Sequence, residues 1–157
     1  MKKKILIFRT DKIGDLLLSL PLIYTLKDIY KDSDLYLVGS LNNFNFAKAM
    51  TIFDEVYNFP LKGIFKKIRF FFKLSKLKYD IILVLDGKNR SIFSTIFLHS
   101  YLKISITTKK IHKFICKLYN VKFYQDTIDS NLQTIHQNFL NIIDNKKKIE
   151  NYDYLNN

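Results

Sequence analysis

Short apolar runs with no polar face, separated by stretches whose apolar residues recur every three to four positions, constrain this chain more than any other feature. Ile81–Leu85 (IILVL) is nearly continuous in its apolar character, and Ile5–Phe8 (ILIF) is a shorter run of the same kind. A strand of alternating character can leave one side in water, whereas an unbroken run must be covered on both faces, as in a parallel sheet. Between such runs, Leu16–Tyr30 carries Leu18, Leu22, Leu26 and Ile29 at the spacing of a buried helix. Strands alternating with helices in this way predict βαβ units and an α/β domain with a doubly wound, mainly parallel sheet.

The remaining elements follow the same alternation. Leu35–Val38, closed by Gly39, and a segment near Glu55–Asn58 read as strands, and Lys103–Thr107 is expected at the sheet edge. Helices are expected at Phe44–Met50, Leu61–Lys76, Ser91–Tyr101 and Ser130–Ile143, the last with Leu132, Ile135, Phe139, Leu140 and Ile143 on one face. Pro21 should kink the first helix or mark a restart with Ser19 as N-cap. Ile111–Asp126 is compatible with helix or strand. At 157 residues and 48% hydrophobic content the chain can bury one good core. Residues 1–145 are therefore expected to form one domain, with 146–157 a polar tail or the start of a linker.

Several functional classes lack their signatures. The opening MKKKILIF has an apolar run of only four residues before Arg9, Asp11 and Lys12 interrupt it, which suits a buried first strand better than a leader. No uncharged apolar run approaches the roughly 18 residues that a spanning helix requires. The single cysteine, Cys116, rules out an internal disulfide framework and fits a reducing compartment, so the expected location is the cytoplasm. GxGxxG, GxxxxGK[ST] and GxSxG are all missing from the sequence. His99, His112 and His136 are not spaced as metal ligands with one another or with Cys116, and read as surface or packing histidines, so no metal is expected.

The formal net charge of +12 points to an anionic partner. Lysine supplies nearly all of it, with only three arginines, Arg9, Arg69 and Arg90. A nucleic-acid module would show an aromatic RNA-binding motif, a helix-turn-helix signature or arginine enrichment, and none is present, so nucleic acid is not the expected partner. Local clustering is more informative than the total. Lys62, Lys66, Lys67, Arg69 and Lys73 concentrate charge on the helix after Pro60, interleaved with Ile64, Phe65, Ile68 and Phe70–Phe72. These cations could hold carboxylates or phosphates of an anionic lipid-linked sugar, rest on a membrane surface, or form the solvated face of an ordinary core helix.

Residues Ile5–Pro21 (ILIFRTDKIGDLLLSLP) run from an apolar strand through a short polar turn into a helix opened by Gly14 and Asp15. That arrangement places a carboxylate and free backbone N–H groups at the sheet edge where α/β proteins bind ligands. Asp86-Gly87 ends another strand, and Lys88 and Arg90 follow it in a loop expected on the same edge. On spacing alone Asp15 reads as a helix-capping residue in a tight turn. Thr10 and Asp11 shape that turn, and Lys12 is the better placed of the nearby cations for binding a ligand beside Asp15.

The stretch RTDKIGDLLLSLPLIYTLKDIY, followed by DSDLYLVG, resembles the amino-terminal half of glycosyltransferase family 9, which includes the lipopolysaccharide heptosyltransferases. Members begin with a strand, a polar turn ending in Gly-Asp, and a helix carrying a proline several residues on, here Ile5–Phe8, Gly14-Asp15 and Pro21. Tyr79-Asp80 open a strand ending at Asp86-Gly87, similar to the family's strand before an acidic-Gly loop. Ile135–Ile143 (IHQNFLNII) looks like the family's histidine-containing helix before the interdomain linker.

The resemblance implies a GT-B architecture of two facing Rossmann-like domains, an amino-terminal one for the acceptor and a carboxy-terminal one for the donor. This chain then corresponds to the acceptor side, with the donor-binding domain absent. The implied activity is inverting transfer of a heptose-like sugar, from a nucleotide-sugar donor such as ADP-heptose, to a lipopolysaccharide core or similar surface glycan. No cofactor is implied. Asp15 becomes the general base, and acceptor binding falls to Thr10, Lys12, Gly14, Lys66, Lys67, Arg69, Asp86, Gly87, Lys88 and Arg90. The implied partners are an anionic glycolipid, the nucleotide-sugar bound by a second domain, and the inner-membrane surface. The alternative is a non-catalytic remnant that holds the glycolipid or the membrane surface and transfers nothing.

Overall fold

The computed structural model describes residues 2–107, 114, 116–119, 121–125 and 132–143. Among these, six strands form one sheet: β1 (Lys4–Arg9), β2 (Asp34–Gly39), β3 (Glu55–Asn58), β4 (Tyr79–Val84), β5 (Ser100–Thr107) and β6 (Lys122–Gln125). Their order is β3-β2-β1-β4-β5-β6, and every neighbouring pair is parallel. The helices are α1 (Ile13–Ile29), α2 (Phe44–Lys48), α3 (Ile64–Ser75), α4 (Asn89–Ser94), continued by a 3₁₀ turn at Thr95–Phe97, and α5 (Leu132–Ile143). This is the doubly wound parallel sheet that the alternation of apolar runs predicts.

The pairing register explains why the central strands have no polar face. Ile5 lies opposite Leu35 and Ile81, and Ile7 opposite Leu37 and Leu83. These residues point to one side of the sheet and pack with Leu16, Leu22 and Leu26 of α1, Ala47 of α2, and Ile135, Phe139 and Leu140 of α5. Leu6 and Phe8 point to the other side with Tyr36, Val38, Ile82 and Val84. There Leu74 of α3, Ile92 of α4, Leu98, Cys116 and Val121 cover them. Each fully buried aliphatic side chain contributes about 1.5–3 kcal/mol, so β1 and β4 anchor both layers.

Three elements differ from expectation for identifiable reasons. First, α1 runs unbroken through Pro21, which is buried. The carbonyl deprived of its N–H partner belongs to Leu17, on the exposed side of the helix at 41% accessibility, so water can serve it. Ser19 is not an N-cap, because its hydroxyl donates to the Asp15 carbonyl one turn back, at 2.9 Å. Second, β5 is not an edge strand, since β6 pairs with its outer side out of the segment whose pattern was compatible with either state. Third, the helix expected over Ser91–Tyr101 stops at Ser94 and tightens into the 3₁₀ turn. Ser100 and Tyr101 already belong to β5.

Glu55–Asn58 has the expected bounds, and α2 and α3 are trimmed versions of the expected helices. α3 starts only after Gly63, whose φ of 85° breaks the run from Leu61. No described helix is long and apolar enough to cross a membrane. His112, the tail after Ile143 and much of Ile111–Asp126 lie outside the described residues.

Candidate functional site

The strand order sets the location of the site. After β1 the chain moves outward to β2 and β3, then returns across β1 to place β4 on its other side. The loops leaving β1 and β4 therefore diverge to opposite faces and leave a crevice at the carboxyl ends of the strands. An open cleft of about 400 Å³ occupies that position. It is lined by Thr10, Asp11, Lys12 and Asp15 from the β1–α1 region, Ser40, Leu41 and Asn42 after β2, Leu61 before α3, and Lys88 and Arg90 after β4.

The β1–α1 loop is fastened from three directions. Beneath it, the buried Arg9 guanidinium donates from Nε to the Asp15 carbonyl at 2.9 Å and from Nη1 to the Leu85 carbonyl. Arg9 also pairs with the Asp11 carboxylate at 3.4 Å. From the β2 side, the fully buried Asn43 donates from Nδ2 to the Arg9 carbonyl at 2.7 Å, while its Oδ1 accepts from Ser40 N at 2.8 Å. Ser40 Oγ donates to the Asp11 carbonyl at 2.7 Å. Gly39 makes this possible, because a Cβ at that position would overlap Asn43 Oδ1.

From the β4 side, Asp86 acts as a clamp. Its Oδ2 accepts from Thr10 N at 3.0 Å, Thr10 Oγ1 at 2.6 Å and Ser91 Oγ at 2.7 Å. Its Oδ1 accepts from Lys88 N at 3.1 Å. Gly87 turns the chain immediately afterwards with φ 55°, a conformation that side chains disfavour. Lys88 Nζ and Arg90 Nη2 donate to the Thr10 carbonyl at 3.1 and 2.6 Å, and Arg90 Nε donates to Thr10 Oγ1 at 3.0 Å. Thr10 is thus the junction between the two loops.

Asp15 occupies the third position of α1. Its Oδ2 accepts from the backbone N–H of Lys12, the N-cap, at 3.1 Å, which closes one half of a capping box. No described residue donates to its second oxygen. Asp15 therefore has the structural role read from its spacing and still presents a carboxylate to the cleft beside Lys12, Lys88 and Arg90. Asp11 differs. Burial pushes its carboxyl above the usual carboxylate range, the Arg9 charge opposes this, and the charges of Asp15 and Asp86 add to the rise. Its Oδ1 is buried and lacks a hydrogen bond, although Arg9 lies within ion-pair distance. A cleft that presents the Asp15 carboxylate among three cations can take up an anionic, hydroxyl-bearing ligand and receive a proton from it.

The predicted ligand-binding residues do not all converge. Thr10, Lys12, Lys88 and Arg90 line the cleft with Asp15, whereas Asp86 and Gly87 shape the loop rather than line it. Gly14 sits in the first turn of α1, where an added Cβ would meet open space. Lys67 lines an adjoining groove of about 320 Å³ with Phe59, Phe71, Phe93 and Phe97, joined to the cleft through Leu61 and Arg90. Lys66 and Arg69 line a separate groove with Asn58, Pro60 and Lys73. Sequence reasoning missed Asn43, Ser40, Leu41 and Asn42. The available signal was the Gly39-Ser40 pair closing β2 at the same sheet edge as Gly14-Asp15.

His136 packs under the site in α5 at 1% exposure, and burial, followed by the Arg9 charge, lowers its pKa to about 3. It is a neutral core residue at physiological pH. Among the described residues no group of three or more His, Cys, Asp or Glu side chains is placed to hold a metal ion.

No family model and no curated protein sequence matches the chain. Solved structures do. E. coli heptosyltransferase WaaC with ADP superposes at a TM-score of 0.76 with 16% identity, over 94% of this chain and 49% of that one. A glycosyl transferase family 9 protein from Veillonella parvula gives 0.74 with 17% identity, over 97% and 44%. E. coli ADP-heptose lps heptosyltransferase II gives 0.61 with 19% identity, over 82% and 35%. The chain thus has a fold found in family 9 glycosyltransferases and spans between about a third and a half of the length of these structures.

Proposed function

We propose that this chain is the acceptor-side domain of an inverting glycosyltransferase. In this reading a heptose-like sugar passes from a nucleotide-sugar donor to a lipopolysaccharide core or similar surface glycan, and the domain works at the cytoplasmic face of the inner membrane. The observation that carries the reading is Asp15. It lines the cleft at the point where the strand order reverses, keeps one oxygen without a described donor, and has Lys12, Lys88 and Arg90 around it. Likeness in fold to heptosyltransferases, one of them solved with ADP, supports the reaction class.

The chemistry then runs through Asp15. Its carboxylate takes the proton of an acceptor hydroxyl as that oxygen forms a bond to the anomeric carbon. The bond from this carbon to the nucleoside diphosphate breaks on the opposite face, and the configuration inverts. Lys12, Lys88 and Arg90 orient the acceptor through its anionic groups. The donor is held by a second domain facing the cleft, and no metal is required.

The decisive experiment mixes the chain with ADP-heptose and a lipopolysaccharide-core acceptor, with and without a separately supplied donor-binding domain. Transfer is expected with both halves present, and Asp15→Asn should lower it about 10²–10⁴-fold, the usual contribution of a general base. Asparagine retains an oxygen able to accept from Lys12 N, so the cap survives and only the base is removed. Acceptor binding without transfer, even with the donor domain supplied, would favour a domain that only holds the glycolipid. Full activity in the Asn variant would remove Asp15 from the chemistry.

A further inference from the structure

We propose that the outer face of α3, together with Leu61 and Phe97, docks on an anionic lipid bilayer. The inference rests on the membrane location in the reading above and assigns a surface to it; its test involves no sugar, so its failure would leave the glycosyl-transfer chemistry standing. Three stripes run along this helix, as the 3.6-residue turn requires. Phe70, Phe71 and Leu74 face the protein, with Leu74 fully buried. On a second stripe Lys66, Arg69, Lys73 and Lys76 line one groove. The third stripe is apolar and in water: Ile64 is 69% exposed, Phe65 84%, Ile68 60% and Phe72 63%. Leu61 at 54% and Phe97 at 64% add exposed apolar surface on neighbouring segments.

Charge decides the partner. From Val56 to Tyr79 there are seven cations and no acidic residue. Lys73 reaches back to Glu55 at 2.6 Å, and Lys76 lies over the Phe72 ring at 4.7 Å, so the basic stripe directly borders the exposed aromatics. Protein–protein interfaces are depleted in lysine, which argues against a second protein on this face. A bilayer accepts phenylalanine and isoleucine below its headgroups while flanking lysines extend their stems to the lipid phosphates. Leu61 and Arg90 line both the cleft and the groove beside α3, so docking here brings the mouth of the cleft to the lipid surface.

The test is co-sedimentation of the full chain with vesicles of phosphatidylethanolamine and phosphatidylglycerol, against phosphatidylcholine alone. Binding is expected only to the anionic vesicles, and it should weaken with salt. Phe65→Ser with Phe72→Ser should lower the partition coefficient about tenfold or more, and Lys62→Gln with Lys66→Gln about fivefold per charge. The sequence contains no tryptophan. Phe65→Trp therefore supplies a single reporter whose emission should shift to the blue on anionic vesicles, even if the serine variants fold poorly. Equal binding to both vesicle types, no blue shift, or a wild-type dimer that the serine variants turn into monomer would each overturn the proposal.

Discussion

Replacing Asp86 with alanine should loosen the candidate site more than any other single change in its loops. The carboxylate accepts four hydrogen bonds, from Thr10 N, Thr10 Oγ1, Ser91 Oγ and Lys88 N. Bonds to a charged acceptor contribute about 1.5–3 kcal/mol each, which would total about 6 kcal/mol or more if water could reach none of the donors. The loop is only partly buried, so water recovers roughly half, leaving a loss of about 3 kcal/mol. For a chain of this size that lowers the melting temperature by about 6–12 °C. Thermal and urea unfolding followed by circular dichroism would measure it, and a cycle with Ser91→Ala would isolate the coupling. The two substitutions should fall short of additivity by about 0.5 kcal/mol or more, because either one alone removes the hydrogen bond from Ser91 Oγ to Asp86 Oδ2. A melting shift below about 2 °C, or strict additivity, would refute the clamp.

Two further outcomes follow from the same loops and the core beneath them. Gly39→Ala should cost about 1–3 kcal/mol through overlap with Asn43 Oδ1, and Asn43→Ala in the same background should remove most of that extra cost, both read from urea midpoints. His136 gives the fold an acid limb. Its folded pKa lies below the ordinary 6.5, so the unfolded chain takes up a proton first as pH falls. Stability should then drop between pH 6.5 and about 3, with a slope of up to about 1.4 kcal/mol per pH unit from this residue. His136→Leu should flatten that limb in acid titrations of unfolding free energy; an unchanged slope would show that another group carries it.

Much of the fold is legible in the sequence because the central strands are buried on both faces. Ile5–Phe8 and Ile81–Leu85 have no polar face to mislead the reading, and both fall in β1 and β4 or at their ends. The misread elements are those whose local pattern is outweighed by distant partners. Nothing in Lys103–Thr107 reveals that Lys122–Gln125 will pair with it. Ser19 resembles a cap because serine often is one, yet its hydroxyl is taken by the preceding turn.

In the site, Asp15, Lys12, Lys88 and Arg90 are accessible to sequence reasoning through the rule that ligands gather where strand order reverses. Asn43 is not. Its role comes from two backbone carbonyls and an amide that meet only after β1 and β2 have paired. Charge groups Lys66 and Arg69 with the site in the sequence, and the geometry of α3 puts them in a different groove.

The fastening of the loop after β2 affects how such a site can change over generations. Asn43 ties the base of that loop to the end of β1 and Ser40 ties it to the turn that follows, while Leu41 and Asn42 at its tip are exposed and line the cleft. Substitutions at the tip alter the wall that a ligand meets without disturbing the ties below it. Recognition can therefore drift at two positions while the loop geometry is inherited intact, which lets one scaffold be retuned to different ligands by single mutations at little cost in stability.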